Sequence, residues 1–276
     1  MSGEAWRYAI ASVAGTSHLA RDLPCQDASE CQVLIKRGGE AVLVAIAADG
    51  AGSASQSELG AQLACAQLLD EVATFCGAGR ALAELTREGV EEWIARLREV
   101  LRALAEVEGH RLRDYACTLL LAIVEVDRAA FCQIGDGAIV TSNPSDPAAY
   151  TPVFWPERGE YANQTHFLTD PDVAEHLAFE LREESIDDIA LFTDGLQGLA
   201  LHYASQSAHA PFFRPIFVPM RRELPGRSAT LSTALARFLG SPQINQRTDD
   251  DKTLILTSRR CSDDAPLETA PRDRSG

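Results

Sequence analysis

A layered α+β fold is what this sequence predicts, and three observations carry the prediction. Apolar strand-like runs arrive in blocks, not in strict alternation with helices, which argues against a doubly wound parallel sheet. Two long segments of helical period stand back to back between the first strands and the next block of strands. At 276 residues with 46% hydrophobic content, the chain can bury one large core, so a single domain is the simplest organisation.

Taken in order, the opening "WRYAIASVAG" alternates and "VLVAIAA" is continuously apolar. Both read as strands, the second buried on two faces. Residues 50–57 break the pattern. From Ser57 to Cys76, Leu59, Leu63, Ala66, Leu69, Val72 and Phe75 recur at spacings of three and four, which predicts a helix. Ser53 and Ser55 offer hydroxyls to cap its start. A second periodic segment, Leu82 to Arg113, carries Trp93, Ile94, Leu97, Leu101, Leu104 and Val107, with charge on its other face.

Strands resume at "ACTLLLAIVEV", "AAFCQIG" and "AIVTS". The last two flank Asp136-Gly137, a pair suited to a tight hairpin, so an antiparallel meander is expected. Residues 143–172 hold Pro144, Pro147, Pro152, Pro156 and Pro171 with little periodicity, and read as an irregular surface excursion flanking the substrate. "HLAFELRE" reads as an edge strand. "DIALFT" leads into Asp194 and a short helix, Leu196 to Tyr203. A proline-punctuated region follows, then a periodic helix, "ATLSTALARFL", and the final strand "TLILT". Residues 259–276 mix Pro, Ser and charge without an apolar face, which predicts a disordered tail and a domain spanning 1–258.

The formal charge of -15 disfavours binding to nucleic acid or an anionic membrane surface. Seven cysteines form no CxxC pair, and several sit in apolar runs as small core residues. With no apolar stretch long enough to span a membrane and no signal-like start, a cytoplasmic monomer is the expectation.

Three aspartates end strand-like runs and precede glycine: Asp49-Gly50, Asp136-Gly137 and Asp194-Gly195. A fourth acidic cluster, Asp249-Asp250-Asp251, immediately precedes the last strand. Any one Asp-Gly pair is explained by a turn. Ionised oxygens gathered at strand rims repel unless a hard divalent ion neutralises them, so the joint pattern points to a metal site.

In order along the chain, "CQDA" at Cys25 to Ala28, "ADGAG" at Ala48 to Gly52, "CTLLLAI" at Cys117 to Ile123, "IGDGAIV" at Ile134 to Val140, "FTDGL" at Phe192 to Leu196 and "DDKTLIL" at Asp250 to Leu256 resemble the metal-dependent serine/threonine protein phosphatases of type 2C, in a divergent bacterial branch. The resemblance implies a four-layer α-β-β-α sandwich, two antiparallel sheets flanked by helices. It also implies a binuclear Mn2+ or Mg2+ centre whose bridging hydroxide hydrolyses phosphoserine and phosphothreonine in proteins. Asp49 would bridge the ions, Gly50 would lend its carbonyl, and Asp194 and Asp250 would complete the set. Asp250 is favoured over Asp251 because it stands three residues before Thr253. Asp136 would belong to a weaker third site, although hairpin chemistry explains it equally. Asp27 would sit in the outer shell, or cap a strand. Oxygen-only ligands suit Mn2+ or Mg2+ better than zinc.

The family's usual Glu-Asp pair is Gln26-Asp27 here, and Gly198 stands where many members carry an accessory aspartate. The usual phosphate-binding arginine aligns near Asp22, with Arg21 and His18 close by; either could substitute. His18 is the preferred phosphate contact or leaving-group acid, because imidazole titrates near neutrality. The expected partners are phosphorylated proteins and a cognate Ser/Thr kinase. Gln26, Gly198 and the missing arginine motivate an alternative, a catalytically weak phosphoprotein-binding module; a phosphatase of small phosphate esters is a third reading.

Overall fold

Strands without polar residues need apolar cover on both faces, and in this protein two stacked sheets and two helical layers supply it. The computed structural model describes residues 5–156 and 165–260. In chain order the first elements are β1 (Arg7–Val13), α1 (Thr16–Leu19), β2 (Ala28–Ile35), β3 (Ala41–Ala48), α2 (Ser57–Gly77) and α3 (Arg87–Glu108). Next come β4 (Leu119–Val124), β5 (Ala129–Ile134), β6 (Ala138–Asn143), β7 (Asp146–Pro152), β8 (Ala178–Arg182) and β9 (Asp188–Phe192). The last are α4 (Gln197–Ala200), β10 (Leu201–His202), β11 (Ser207–Ala208), α5 (Ala210–Met220), β12 (Gly226–Arg227), α6 (Ala229–Leu239), α7 (Pro242–Asn245) and β13 (Lys252–Ser258).

One sheet runs β2-β3-β4-β5-β8 and the other β12-β1-β13-β9-β6-β7. Both are antiparallel apart from the two-residue parallel contact of β12 with β1. Period-two alternation in β3 explains its sequence. Val42, Val44 and Ile46 face outward into a core with Leu68 of α2 and Leu97 and Leu101 of α3. Leu43, Ala45 and Ala47 face inward and meet Ile139, Leu191 and Ile255 of the other sheet. That sheet's outer face, with Ala138, Ala190 and Leu254, packs on Phe213 and Phe217 of α5 and Leu235 and Leu239 of α6. Three apolar layers therefore separate four structural ones, as the resemblance implies.

Several local expectations need correction. The Asp136-Gly137 turn is not a hairpin: β5 pairs with β4 and β8, whereas β6 pairs with β7 and β9, so the turn carries the chain from one sheet to the other. Gly135, at φ +92, makes that departure, and the Gln133 amide donates to the Gly135 and Gly137 carbonyls at 3.3 and 3.0 Å. The 143–172 excursion contains β7, paired with β6, although residues 157–164 lie outside the described part. Strand β2 escaped the element reading because "ASECQVLI" mixes polar with apolar residues.

The 82–113 helix is shorter than its periodicity. It starts after Thr86, whose side chain accepts from the Gly89 N–H, and stops at Gly109 in the left-handed conformation, φ 72, so its ends are set by caps. Leu82–Glu84 and Leu112–Tyr115 are separate 3-10 turns. Neither Ser53 nor Ser55 caps α2, whose N-cap is Gln56. The Leu196 to Tyr203 helix reduces to α4. The proline-punctuated region holds α5, with Pro215 and Pro219 inside it; burial of Phe213, Phe217 and Met220 outweighs the backbone bonds those prolines forgo. Arg259 and Arg260, assigned to the tail, are each 6% exposed and reach Asp187 at 3.4 and 2.9 Å. The rest of the expected tail, 261–276, lies outside the described residues. Among the described residues, no helix is long and apolar enough to cross a membrane.

Candidate active site

Antiparallel register delivers the acidic positions to one rim of the sandwich. Ala28 pairs with Ala48, so Asp27 entering β2 and Asp49 leaving β3 are neighbours. Phe192 pairs with both Ala138 and Leu254, which places Asp136, Asp194 and the 249–251 run together at the same end. Val13 pairs with Lys252, and the chain leaving β1 there forms α1. The ends of β1, β3, β5, β9 and β13 thus contribute to a cleft of about 400 Å³.

Asp49, Gly50, Asp136, Asp194 and Asp250 line this cleft, with His18 and Arg21 from α1 and its exit on its other side. Asp27 does not; it is buried behind the rim at 6% exposure. Asp250 lines the cleft whereas Asp251 turns inward, where its oxygens accept from the Gly15 N–H at 2.7 Å and the Gln26 N–H at 2.6 Å. Asp249, noted in the acidic cluster but given no role, also lines the cleft, and residues missed by sequence reasoning are Ser17, Thr165 and Phe167. The last two come from the proline-rich segment, where no period marked them.

The turns that hold these carboxylates need close backbone approach. A Cβ on Gly195 would stand 2.0 Å from the Asp251 carbonyl oxygen, and one on Gly15 would stand 2.3 Å from that of Asp249. Glycine in Asp194-Gly195 therefore serves packing of the 249–251 segment and not a hairpin. Thr118 fixes Asp49 from the next strand: its hydroxyl accepts from the Asp49 N–H at 2.9 Å, and its own N–H donates to the Asp49 carbonyl at 2.8 Å. Asp136 accepts from the Thr165 hydroxyl at 2.9 Å, and the Gln197 amide donates to its carbonyl. His18, 5% exposed, has its Nδ1 2.8 Å from Asp251 Oδ1, an ion-pair distance without hydrogen-bond alignment. Arg21 is exposed at the rim, with its Nε donating to the Ser17 carbonyl at 3.0 Å.

The electrostatics are those of crowded, desolvated acids. Burial, followed by the nearby charges of Asp27 and Asp194, holds the Asp49 carboxyl well above the usual range. Asp194 is pushed up to about 6 by burial and then Asp136. Asp27 is pushed up to about 7, mainly by burial, against hydrogen bonds from Thr253 and Thr193 that favour its charge. Asp49 and Asp194 are close enough for each to shift the other, and Asp27 Oδ1 is buried without a partner among the described residues. Facing carboxylates and an orphaned carboxylate oxygen are what a hard cation satisfies, so the donor set fits Mn2+ or Mg2+. Among the described residues, however, no three such side chains converge into a ready-made cluster; they ring the cleft.

Elevated folded-state values have a definite sign in stability. A carboxyl whose pKa rises on folding favours the fold below its unfolded value, about 4, and that contribution is lost as pH rises through the folded value. With Asp194 near 6 and Asp27 near 7, the melting temperature in chelator is expected to fall between about pH 5 and pH 8. Added Mn2+ should reverse that slope, because it binds the ionised form. Thermal melts across this range, with and without Mn2+, check it; parallel slopes would refute the cation fit.

Fold and acidic rim together define an α+β sandwich of the phosphatase kind. A sequence model of the protein phosphatase 2C family matches residues 14–240, and the chain belongs to that family. It is 39% identical over 253 residues to serine/threonine-protein phosphatase 3 of Escherichia coli strain K12, covering 91% of this chain and 97% of the relative. Among solved structures, a bacterial serine phosphatase carrying an arginine-to-lysine substitution superposes with a TM-score of 0.58 at 14% identity, covering 92% and 98% of the two chains. The catalytic domain of the serine/threonine protein phosphatase PstP, in complex with 2 manganese ions, gives 0.55 at 15% identity, covering 92% and 98%. At these identities the structures speak for the fold.

Proposed function

We propose that this protein hydrolyses phosphoserine and phosphothreonine in proteins, using two divalent cations, Mn2+ or Mg2+, opposite a cognate Ser/Thr kinase in the cytoplasm. The observation that carries the reading is the pair of half-buried, mutually perturbing carboxylates, Asp49 and Asp194, lining a cleft that Asp250 and Gly50 also line. The names of the E. coli relative and of the manganese-bound PstP domain support it.

Bound divalent ions supply charge neutralisation and an activated water at neutral pH. Asp49, Gly50, Asp194 and Asp250 would hold them, Asp136 would serve a weaker third ion, and Asp27 would act from behind Asp49. Thr118 keeps Asp49 in place through two backbone-directed bonds. Arg21, at the rim, offers its guanidinium to phosphoryl oxygens. His18, backed by Asp251, holds a proton where the leaving seryl oxygen must acquire one. The described thiols serve no nucleophilic role here: burial raises the pKa of Cys117 and Cys132, which keeps them protonated and inert.

Leaving-group chemistry tests the assignment. An alkoxide needs a proton to depart and para-nitrophenolate does not, so His18→Ala should lower kcat on a phosphoserine peptide by about 10²-fold and on para-nitrophenyl phosphate far less. Equal losses on both substrates would remove the acid role. No Mn2+-dependent turnover of either by the native protein would leave a phosphoprotein-binding module.

A further inference from the structure

A second cavity, about 340 Å³, lies directly beside the acidic cleft. Residues adjacent in sequence line the two. Gly135 lines the cavity and Asp136 the cleft; His166 lines the cavity, and Thr165 and Phe167 line the cleft. The bond between the Thr165 hydroxyl and the Asp136 carboxylate, 2.9 Å, ties those two stretches together.

Its other walls are Val153, Phe154, Trp155 and Ala178, with His166 and His176 stacked face to face, ring centroids 3.3 Å apart at 12°. The two histidines drew no functional reading from sequence, since nothing local distinguishes them. Among the described lining residues there is no Lys, Arg, Asp or Glu. The two histidines already face acids of the fold, His166 with Asp170 at 4.0 Å and His176 with Asp172 at 3.4 Å, and the aromatic and aliphatic walls reward an apolar occupant. Trp155 is also tied to the cleft, by an edge contact with Tyr203 at 5.4 Å, whose hydroxyl donates to Gln197, whose amide donates to the Asp136 carbonyl.

We propose that this cavity is a substrate subsite which receives a large apolar side chain of the phosphoprotein, close in sequence to the phosphorylated residue. The inference rests on the phosphatase reading and adds to it a preference among substrates. A residue of extended peptide advances about 3.3 Å, so a cavity whose lining residues adjoin those of the cleft takes an occupant within a few positions of the phosphoserine.

The test uses the full chain with Mn2+ and a set of phosphoserine peptides carrying Leu or Phe, Ala, Arg or Asp at single flanking positions, beside para-nitrophenyl phosphate. At one flanking position, Leu or Phe should exceed Ala in kcat/KM by about tenfold or more, the worth of burying a large apolar side chain. Trp155→Ala should collapse that ratio. Ala178→Phe, which adds bulk at another lining position, should collapse it as well, so the outcome does not hang on one variant folding. Equal kcat/KM for all peptides, a preference for Arg or Asp, or a ratio untouched by both substitutions would overturn the subsite and leave the phosphatase standing. No turnover of any substrate would overturn the phosphatase reading itself.

Discussion

Asp49→Asn is expected to lower Mn2+-dependent hydrolysis by roughly 10³-fold or more, because it removes a charge that no neighbour can replace at the cation site. The same substitution should raise the melting temperature of the metal-free protein. Asp49 is half-buried among like charges, with Asp27 and Asp194 acting on it most strongly and its carboxyl held well above the usual range. An isosteric amide ends that repulsion and keeps a group able to bond. Opposite signs for activity and stability separate a functional carboxylate from a structural one, whose loss would lower both. Steady-state rates with Mn2+ and melts in chelator give the two numbers. Retained turnover, or a melting temperature lowered along with activity, would refute the assignment.

What the sequence made legible follows from where one period dominates. Strands β3 and β4 are continuously apolar, and β9 and β13 have apolar centres, "IALF" and "LIL", because each is sandwiched on both faces, and they were read correctly. Helices α2 and α6 were read with nearly correct bounds, but the face of α2 that packs is Ala61, Ala64, Cys65, Leu68 and Val72, whereas Leu59, Leu63 and Leu69 of the expected stripe are only partly buried and Ala66 is exposed, because small and apolar residues ring most of that helix. The acids were legible for a related reason: in antiparallel sheets, alternate strand ends share a rim, so Asp-Gly pairs closing strands converge without any long-range signal. The β5-to-β6 turn was misread because the same two residues suit a hairpin and a crossover, and only partner choice decides between them. In α5, tertiary burial of two phenylalanines overrode the local signal of proline. His166, His176 and Phe167 sit in a segment whose placement depends on α3, where the Arg98 guanidinium donates to the Leu168 and Asp170 carbonyls at 2.5 and 2.6 Å; nothing near them in sequence encodes that.

The far rim of the sandwich carries the largest stability prediction. Asp188 opens β9 with no exposed surface, and its carboxylate accepts from the hydroxyls of Ser142 at 3.2 Å and Ser258 at 2.6 Å and from Arg221 at 2.7 Å. Arg260 stands 3.7 Å away. Asp188→Ala would strand Arg221, 14% exposed, and two buried hydroxyls without their acceptor. Leaving half of a buried ion pair uncompensated costs about 3–5 kcal/mol, and in a chain of this size that is a fall in melting temperature of roughly 6–20 °C. Replacing both partners, Asp188→Leu with Arg221→Met, should recover much of the loss, because the cost lies in the orphaned charge and not in the absent bond. Asp188 lies six residues before Asp194, about 20 Å along an extended strand, so kcat of the folded variant at low temperature should stay near that of the native protein. Denaturant titrations of the single and double variants decide it: a single loss under 1 kcal/mol, or a double variant no better than the single, would mean that Arg260 and solvent compensate the network instead.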